Sequence, residues 1–594
     1  MTNTNFKSPE NPSSDAYDLI ALGEYFRQCN PPKLKLSLKC LMSTLHLNTP
    51  PNVKAECLYL TGKTLLLYTT NFREARQYLE IAYIAMKEIG PSMEIQRFEV
   101  VCLLAETMMD QQRYEHLKKV LRDEVAASIK YPKQNAKLIL LLAECHARLN
   151  DISSALYILN TGCEHFQKHN HYLIEAFTIS AQTILLSQDP SCSPEDMTKR
   201  LTRLEQISRH YPSEWTCVMN LRVFCCAIQL CYLLSRGLLQ SAKNCLKQLQ
   251  TLVGVLASRE MNLGNHEYSG TTWKIMSPEM FTAVTYTLTF MTNIMACNYE
   301  KVNKYYHIAL NHLEEIRKFS KSSPYTLMER GTFELVEALE VVLYENMAQC
   351  NLVLARPSDC IQVVTLMLDK LKFDTTLQDD FKPAAHLILG MYCTFMYKYT
   401  EAEKQFLEVI NKVRDKDVYL FANSCLALLY VLTNKEIDYF KVYGKIIPNK
   451  VQTHSIGIRF VTLFACGFHA YIVNRISDCR GYMNEIVDIA KEDNLFRIMS
   501  MALLMLAQIF ESQEIDTIKK AYEYTATLGD NTLTIWLNKI IMKMHRSYGR
   551  VSQAEVIQQA TIQYINVIAA DRQKAESHAS NSYINWTEGH LDFL

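Results

Sequence analysis

Few residues of this chain could carry chemistry, and their surroundings argue against most of them. Gly62-Lys63-Thr64 has the ending of a phosphate-binding loop, in which backbone N–H groups cradle the phosphates and a lysine reaches them. That loop needs a glycine five residues before the second glycine, but position 57 is Cys57, and the tripeptide lies in a helical pattern rather than after a strand. Nucleotide binding is therefore not expected. Cys163, His165, His169 and His171 fall within nine positions, and thiolate with imidazole is a zinc-binding combination. The cluster runs from a helix end into a turn and has no matching second pair, so a polar helix end is the preferred reading, and neither a metal nor a cofactor is expected. No HExxH, GxSxG or GxGxxG sequence occurs. The paired acids Glu314-Glu315 and Asp379-Asp380 fall on solvated helix faces or turns. Catalysis has no candidate residues, so the chain is not expected to be an enzyme or to take a small-molecule substrate.

Charge and composition narrow the partners. The 62 Lys and Arg balance 62 Asp and Glu, so bulk electrostatics does not drive the chain onto nucleic acid or an anionic membrane. Three local basic groups remain: Lys199, Arg200 and Arg203; Lys441, Lys445 and Lys450; and Lys539, Lys543, His545, Arg546 and Arg550. Each reads either as a solvated helix face or as a docking point for an acidic partner or chromatin. The 19 cysteines are scattered without a CxxC pair, as expected of small apolar residues in a reducing compartment. The most apolar run, Val223 to Ser235, is shorter than the roughly 20 residues that span a bilayer, and reads as a buried helix.

The elements that would position any site are helices in pairs. In Asp380–Val413, a first helix is expected from Pro383 to about Met396, and a second after a capping box of Thr400 and Glu403. Gly390 follows Leu389; Ala402 stands twelve residues later, then Phe406 and Val409. A small residue on one helix, a small one opening the next and a large one a turn later let the two interdigitate, which is the tetratricopeptide pattern. One such hairpin cannot cover its own apolar faces and needs neighbours of the same kind.

The chain supplies them. Ala75, Leu79 and Ala82 repeat the second-helix spacing, Leu104-Ala105 is answered by Leu117 and Leu121, and Leu142-Ala143 by Ala155, Leu159 and Gly162. The pattern continues at Ala242, Val302, Ala348 with Cys360, Ala427, Gly467 with Cys479, and Ala507 with Ala521. Second-helix markers step by 42 residues from Ala75 to Leu117, 38 to Ala155, 42 from Cys360 to Ala402 and 42 from Cys479 to Ala521, longer than the standard unit of about 34. The expected fold is thus all-α, an irregular tetratricopeptide-like superhelix. Its expected divisions are a disordered leader at 1–14 before a helix capped by Asp15, N-terminal repeats at 15–257, a polar loop or junction at 258–279, C-terminal repeats at 280–570 and a polar tail at 571–594 in which Trp586 is the exception.

In such arrays the first helices line the inner wall, and residues just after the small position and about a turn later point into it. Those are Glu144 and Arg148, Met391 and Phe395, and Phe468 and Tyr471. Apolar residues there suit a long hydrophobic segment as ligand; the competing reading is that a tightly wound array packs them in its core.

Glu24-Tyr25-Phe26-Arg27 followed by Pro31-Pro32-Lys33, the run Cys245 to Gln250, Leu389 to Cys393, and Trp586-Thr587-Glu588-Gly589 occur in an order and spacing that resemble the maternal-uncoordinated (Mau-2, Scc4-like) family, the tetratricopeptide subunit of the cohesin loader. The resemblance covers nearly the whole chain; the short leader and the polar insert at 258–279 depart from it. It implies a non-enzymatic nuclear scaffold, in nucleoplasm and on chromatin with a cytoplasmic pool as a further option. This scaffold clasps the extended N-terminal segment of a Nipped-B-like (Scc2-type) partner, meets cohesin and chromatin through the complex, and supports sister chromatid cohesion and chromosome segregation. The family is also tied to axon guidance and cell migration. The alternatives are a helical-repeat subunit of another assembly, such as a ubiquitin ligase or a proteasome-lid-like complex, and a metal-dependent enzyme at Cys163 and His169.

Overall fold

The computed structural model of the chain describes residues 12–587 except 30, 111, 188–192, 212–215, 263–274, 322–326, 374, 414 and 511–514. Within the described residues the secondary structure is helical throughout, and successive helices pair as antiparallel hairpins. In chain order these are α1 (Pro12–Gln28) with α2 (Leu34–Leu45), α3 (Pro51–Tyr68) with α4 (Phe72–Ile89), and α5 (Glu94–Asp110) with α6 (Tyr114–Ala127). Next come α7 (Pro132–Arg148) with α8 (Ile152–Lys168), α9 (Tyr172–Ser187) with α10 (Pro194–Arg209), α11 (Thr216–Arg236) with α12 (Leu239–Asn262), and α13 (Pro278–Met295) with α14 (Tyr299–Lys321). The C-terminal half continues with α15 (Leu327–Val353) and α16 (Pro357–Phe373), α17 (Thr375–Phe395) and α18 (Tyr399–Lys412), and α19 (Lys416–Leu432) and α20 (Glu436–Tyr443). It ends with α21 (Ile456–Ile472) and α22 (Ile476–Glu492), α23 (Phe496–Phe510) and α24 (Ile515–Leu528), and α25 (Asn531–Ser547) and α26 (Val551–Glu576). This is an α-solenoid.

Two features of the sequence make the hairpins. The first is the tight turn: Gln112, Asn150, Cys297, Ala355, Tyr397, Asn434 and Asn474 each adopt a left-handed φ between 55° and 61°. The following N–H then reaches the carbonyl five residues back, as from Asp151 to His146 at 2.9 Å and from Lys398 to Cys393 at 2.9 Å, closing the helix end and reversing the chain. The second is the close approach. A Cβ added to Gly390 would lie 2.5 Å from Phe406 Cε1, and one added to Gly62 would lie 2.7 Å from Leu79 Cγ. Gly467 faces Met483 in the same way. Glycine at these points lets the second helix seat a large side chain against the bare backbone of the first.

The chain forms two compact units, Met1–Val218 with Arg317–Glu334, and Met219–Ile316 with Leu335–Leu594. The boundaries between these units fall within α11, α14 and α15, away from the polar stretch 258–279. Of that stretch, residues up to Asn262 belong to α12, those from Pro278 belong to α13, and 263–274 lie outside the described residues. In the first unit one core groups Leu58, Leu66, Ala75, Leu79, Ala82 and Met86, and the next groups Phe98, Val101, Ala105, Leu117, Leu121 and Leu142. In the second unit the largest core runs from Met280 through Phe290, Tyr306, Met367, Tyr392 and Phe406 to Tyr439 and Ile446. Buried thiols act as apolar filling; burial pushes Cys145 up to about 12, so it stays protonated and unreactive.

Several local expectations are corrected. The leader does not extend to residue 14: α1 starts at Pro12, three residues before the expected cap at Asp15, and residues 1–11 lie outside the described ones. Helix α17 begins at Thr375, so Pro383 sits inside it and does not open it. The capping box of α18 does not form. Lys398 precedes the helix without a side-chain cap, and Glu403 instead accepts from Tyr430 Oη (3.0 Å) and Lys435 Nζ (2.6 Å) on the next hairpin. The apolar run of α11 is longer than expected: Val218–Arg236 is long and apolar enough to cross a membrane, with a mean hydropathy of 1.6. Its Met219, Val223, Leu230 and Leu234 are nevertheless buried with Ala242 and Leu249 of α12 and Phe281 and Leu288 of α13, as in a core helix.

Phe406 is 1% exposed and fills the space beside Gly390. Phe406→Ala should destabilise the second unit by roughly 3–5 kcal/mol, as other large-to-small core changes do. Denaturant titration checks this, and a loss under about 1 kcal/mol would place Phe406 outside the structural core.

Candidate functional site

Within the second unit, the first helices of successive hairpins place apolar side chains side by side at the surface. Met391 and Thr394 of α17, Cys425, Leu428 and Leu432 of α19, and Phe464 and Phe468 of α21 surround a hollow of about 330 Å³, with Phe406 of α18 also in its lining. The arrangement follows from the close approach described above. Gly390, Ala427 and Gly467 are buried, and the residue after each is turned about 100° around the helix, away from the second helix. Met391, Leu428 and Phe468 therefore share one rim. Leu432 is 50% exposed, so the hollow opens to solvent.

The apolar surface continues along α21 and beyond. Phe460 and Phe464 have ring centroids 5.6 Å apart, and Phe464 and Phe468 stack at 6.5 Å with planes 2° apart. At the far end of α21, Tyr471 Oη accepts from Gln508 Nε2 at 3.2 Å, while Trp536 Nε1 donates to Gln508 Oε1 at 2.8 Å. Gln508 and Trp536 then line a second hollow of about 280 Å³, with Ala507 of α23 and Lys539, Ile540, Lys543, Met544 and Ser547 of α25.

Of the six residues expected on an inner wall, Met391 and Phe468 meet in the first hollow, and Tyr471 stands between the two. Phe395 does not join them: the guanidinium of Arg572 on α26 lies 4.7 Å from its ring centre and 4.1 Å from that of Tyr397. Glu144 and Arg148, on α7 of the first unit, pair with each other at 3.7 Å and are about half exposed, a surface ion pair of the kind that contributes little. Leu428, Leu432 and Gln508 were not singled out in the sequence. They carry the same signal, standing one, five and one residues after the small positions Ala427 and Ala507.

The other chemical candidates resolve as parts of the fold. Gly62-Lys63-Thr64 lies inside α3, with Lys63 Nζ 3.0 Å from Tyr59 Oη. Gln182 Nε2 lies 3.4 Å from Cys163 Sγ, whereas the His165 and His169 rings lie 4.6 Å apart with their planes tilted by 57°; among the described residues no group of three or more ligands is placed to hold a metal. Arg203 forms a bidentate pair with the buried Glu175 at 2.8 and 3.0 Å.

A family model described as cohesin loading factor matches residues 18–551. The chain belongs to the cohesin loading factor family. It is similar to the MAU2 chromatid cohesion factor homologue of Drosophila virilis, 25% identical over 585 residues that cover 96% of this chain and 92% of that one. The homologue of Drosophila melanogaster is likewise 25% identical, over 586 residues, with 96% and 90% covered. Among solved structures the fold resembles Scc4 in complex with Scc2n, with a TM-score of 0.64 at 11% identity, covering 93% of this chain and 99% of that one.

The segment from the end of α26 to Trp586 packs back onto the middle of the second unit. Of the polar tail expected at 571–594 with Trp586 as the exception, the described residues comprise the end of α26, a 3-10 segment at Ala579–Asn585, and Trp586, which is 1% exposed; 588–594 lie outside them. Asp571 Oδ2 and Oδ1 accept from the N–H (3.0 Å) and hydroxyl (2.6 Å) of Ser358 at the start of α16. Trp586 stacks on His386 of α17 at 4.1 Å. Gln405 Nε2 donates to the carbonyls of Ile584 (2.8 Å) and Trp586 (2.7 Å), leaving its Oε1 to accept from His386 Nδ1 at 2.7 Å. That network sets the neutral tautomer of His386.

Burial lowers the pKa of His386 from 6.5 to about 4 despite its bond to Gln405 and with nearby Lys382, Glu408 and Lys412 partly offsetting one another. The unfolded or undocked ring takes up a proton first, so docking of the Ala579–Trp586 segment is fully supported above pH 6.5 and weakens as pH falls from 6.5 toward 4. At pH 5 the loss should be about 2 kcal/mol. Limited proteolysis should cut the C-terminal segment faster at pH 5 than at pH 7.5, and His386→Gln should remove that difference. Equal protection at both pH values in the native protein would contradict the assignment.

Proposed function

We propose that this cohesin loading factor is a non-enzymatic scaffold subunit of a cohesin-loading complex, and that it holds an extended N-terminal segment of a Scc2-type, Nipped-B-like partner along α17, α19 and α21. The observation that carries this reading is the open apolar hollow at Met391, Leu428, Leu432, Phe464 and Phe468, continued by the stacked rings of α21. Such a surface, rimmed by helices and without convergent catalytic groups, fits a run of apolar side chains better than a metabolite. The solved structure that shares the fold holds Scc4 together with Scc2n. A segment that orders on binding gives up chain entropy against a large buried area, and its binding stabilises the folded scaffold by linkage. On this reading the protein works in the nucleus, reaches cohesin and chromatin through the complex, and serves sister chromatid cohesion.

Leu432 makes the cleanest test because it is half exposed and outside the buried core. Leu432→Asp should weaken capture of the partner's N-terminal segment by roughly 1–3 kcal/mol while leaving thermal unfolding nearly unchanged. Undiminished capture by a folded Leu432→Asp variant would rule this surface out.

A further inference from the structure

The hairpin of α11 and α12 brings two thiols face to face. Cys226 on α11 and Cys245 on α12 stand 19 positions apart, the same separation that sets His386 of α17 against Gln405 of α18. There the facing groups are an imidazole and an amide; here they are two sulfurs, with Sγ–Sγ at 3.7 Å. Each sulfur also lies against the other residue's backbone, Cys226 Sγ 3.6 Å from the carbonyl oxygen of Cys245 and Cys245 Sγ 3.4 Å from that of Cys226. This reciprocal packing requires the two backbones to run close together at this level. The tight turn holds them in register: Gly237 adopts a φ of 84°, and the Leu238 N–H reaches the Leu233 carbonyl at 2.9 Å. A disulfide needs about 2.05 Å between its sulfurs, so each has to move by only about 0.8 Å. Both residues belong to the core shared by α11, α12 and α13.

We infer that Cys226 and Cys245 are a reversible dithiol–disulfide pair, a modification site at which hydrogen peroxide oxidises the two thiols and clasps α11 to α12. The Cys226 thiolate attacks one peroxide oxygen, the O–O bond breaks, and the sulfur becomes a sulfenic acid as the other oxygen leaves as water. The Cys245 sulfur then attacks that of Cys226: the S–S bond forms, the S–O bond breaks, and hydroxide departs as water with the Cys245 proton. Two thiols and one peroxide thus give one disulfide and two waters, with two electrons passing from sulfur to peroxide. Exchange with two molecules of a small thiol returns the pair to its reduced form, which is its resting state in a reducing compartment. Cys226 is the attacking sulfur because the Cys245 thiol donates to it and lowers its pKa, while that bond and burial raise the pKa of Cys245. Its neighbours on α11 are different, since burial pushes Cys225 up to about 12 and Cys231 up to about 11 and keeps both as thiols. Depth selects the oxidant: Cys226 is 8% and Cys245 5% exposed, which screens them from protein oxidants but admits a molecule little larger than water. The bond would close the loop from 226 to 245 and so restrict the unfolded chain more than the folded one.

The test uses the folded full chain, treated with hydrogen peroxide, then alkylated in denaturant and digested with trypsin for mass spectrometry. Cleavage after Arg222, Arg236, Lys243 and Lys247 releases Cys226 in peptide 223–236 and Cys245 in peptide 244–247. The two peptides should appear joined, two hydrogens lighter than their sum, and should separate on treatment with a dithiol reductant. Cys226→Ser and Cys245→Ser should each abolish the joined species, and Cys225→Ser should retain it. Thermal unfolding supplies a second readout: the oxidised chain should melt at a higher temperature than the same sample after the reductant, a difference that Cys245→Ser removes. The inference fails if the treated chain keeps both thiols open to alkylation, if the joined species persists in Cys226→Ser, or if it forms only in chain unfolded beforehand. A bond that forms but lowers the melting temperature relative to the reduced sample would show that the hairpin must distort to make it, and would overturn the pre-set geometry.

Discussion

The structure depends on how closely two helices can approach within each hairpin. Where the first helix presents bare backbone, as at Gly62, Gly390 and Gly467, the second lays Leu79, Phe406 or Met483 directly on it, and no Cβ could be added without displacing that side chain. Where the large residue comes from the first helix, as Ile139 against Gly162, the same closeness is reached from the other side. Close approach fixes which face of each first helix is buried. It therefore also fixes which face is left for solvent or a ligand, and Met391, Leu428 and Phe468 reach the surface together because Gly390, Ala427 and Gly467 are held inside.

That constraint is local in sequence, which is why much of the architecture could be read from it. The small residue, the twelve-residue step and the large residue a turn later are set within one hairpin; the offset of one that marks Met391 and Phe468 also marks Leu428, and the offset of five that marks Phe395 also marks Leu432. What periodicity does not carry is any contact made across many hairpins. Arg572 covers Phe395 from 177 positions away along the chain, so a residue at the same offset as Leu432 is closed to a ligand on that face. The docking of Trp586 on His386 and Gln405 rests on one indole, two amide bonds and polar partners in a segment without a repeating apolar pattern. Pro383 misleads for a different reason: it is tolerated inside α17, although its ring more often marks a helix start.

The two hollows and the C-terminal return suggest a division of labour within the second unit. The hairpin cores supply rigidity, and the return of α26 and Trp586 adds contacts between elements far apart in the chain, which a simple stack of repeats lacks. The outer residues of the first-helix surface, such as the half-exposed Leu432, are then left to meet a ligand. A scaffold built this way has no need of perturbed catalytic groups, and the buried Cys145 and His386 are shifted by burial toward their neutral forms.

The most direct test of the account is where the partner's N-terminal segment touches this chain. A photo-crosslinking residue at position 428, on α19 in the apolar hollow, should join to that segment. The same residue at position 437, a 77% exposed site on α20, should not. Crosslinking from 437 and none from 428 would mean that the partner binds the second helices, and that the first-helix surface is not the site.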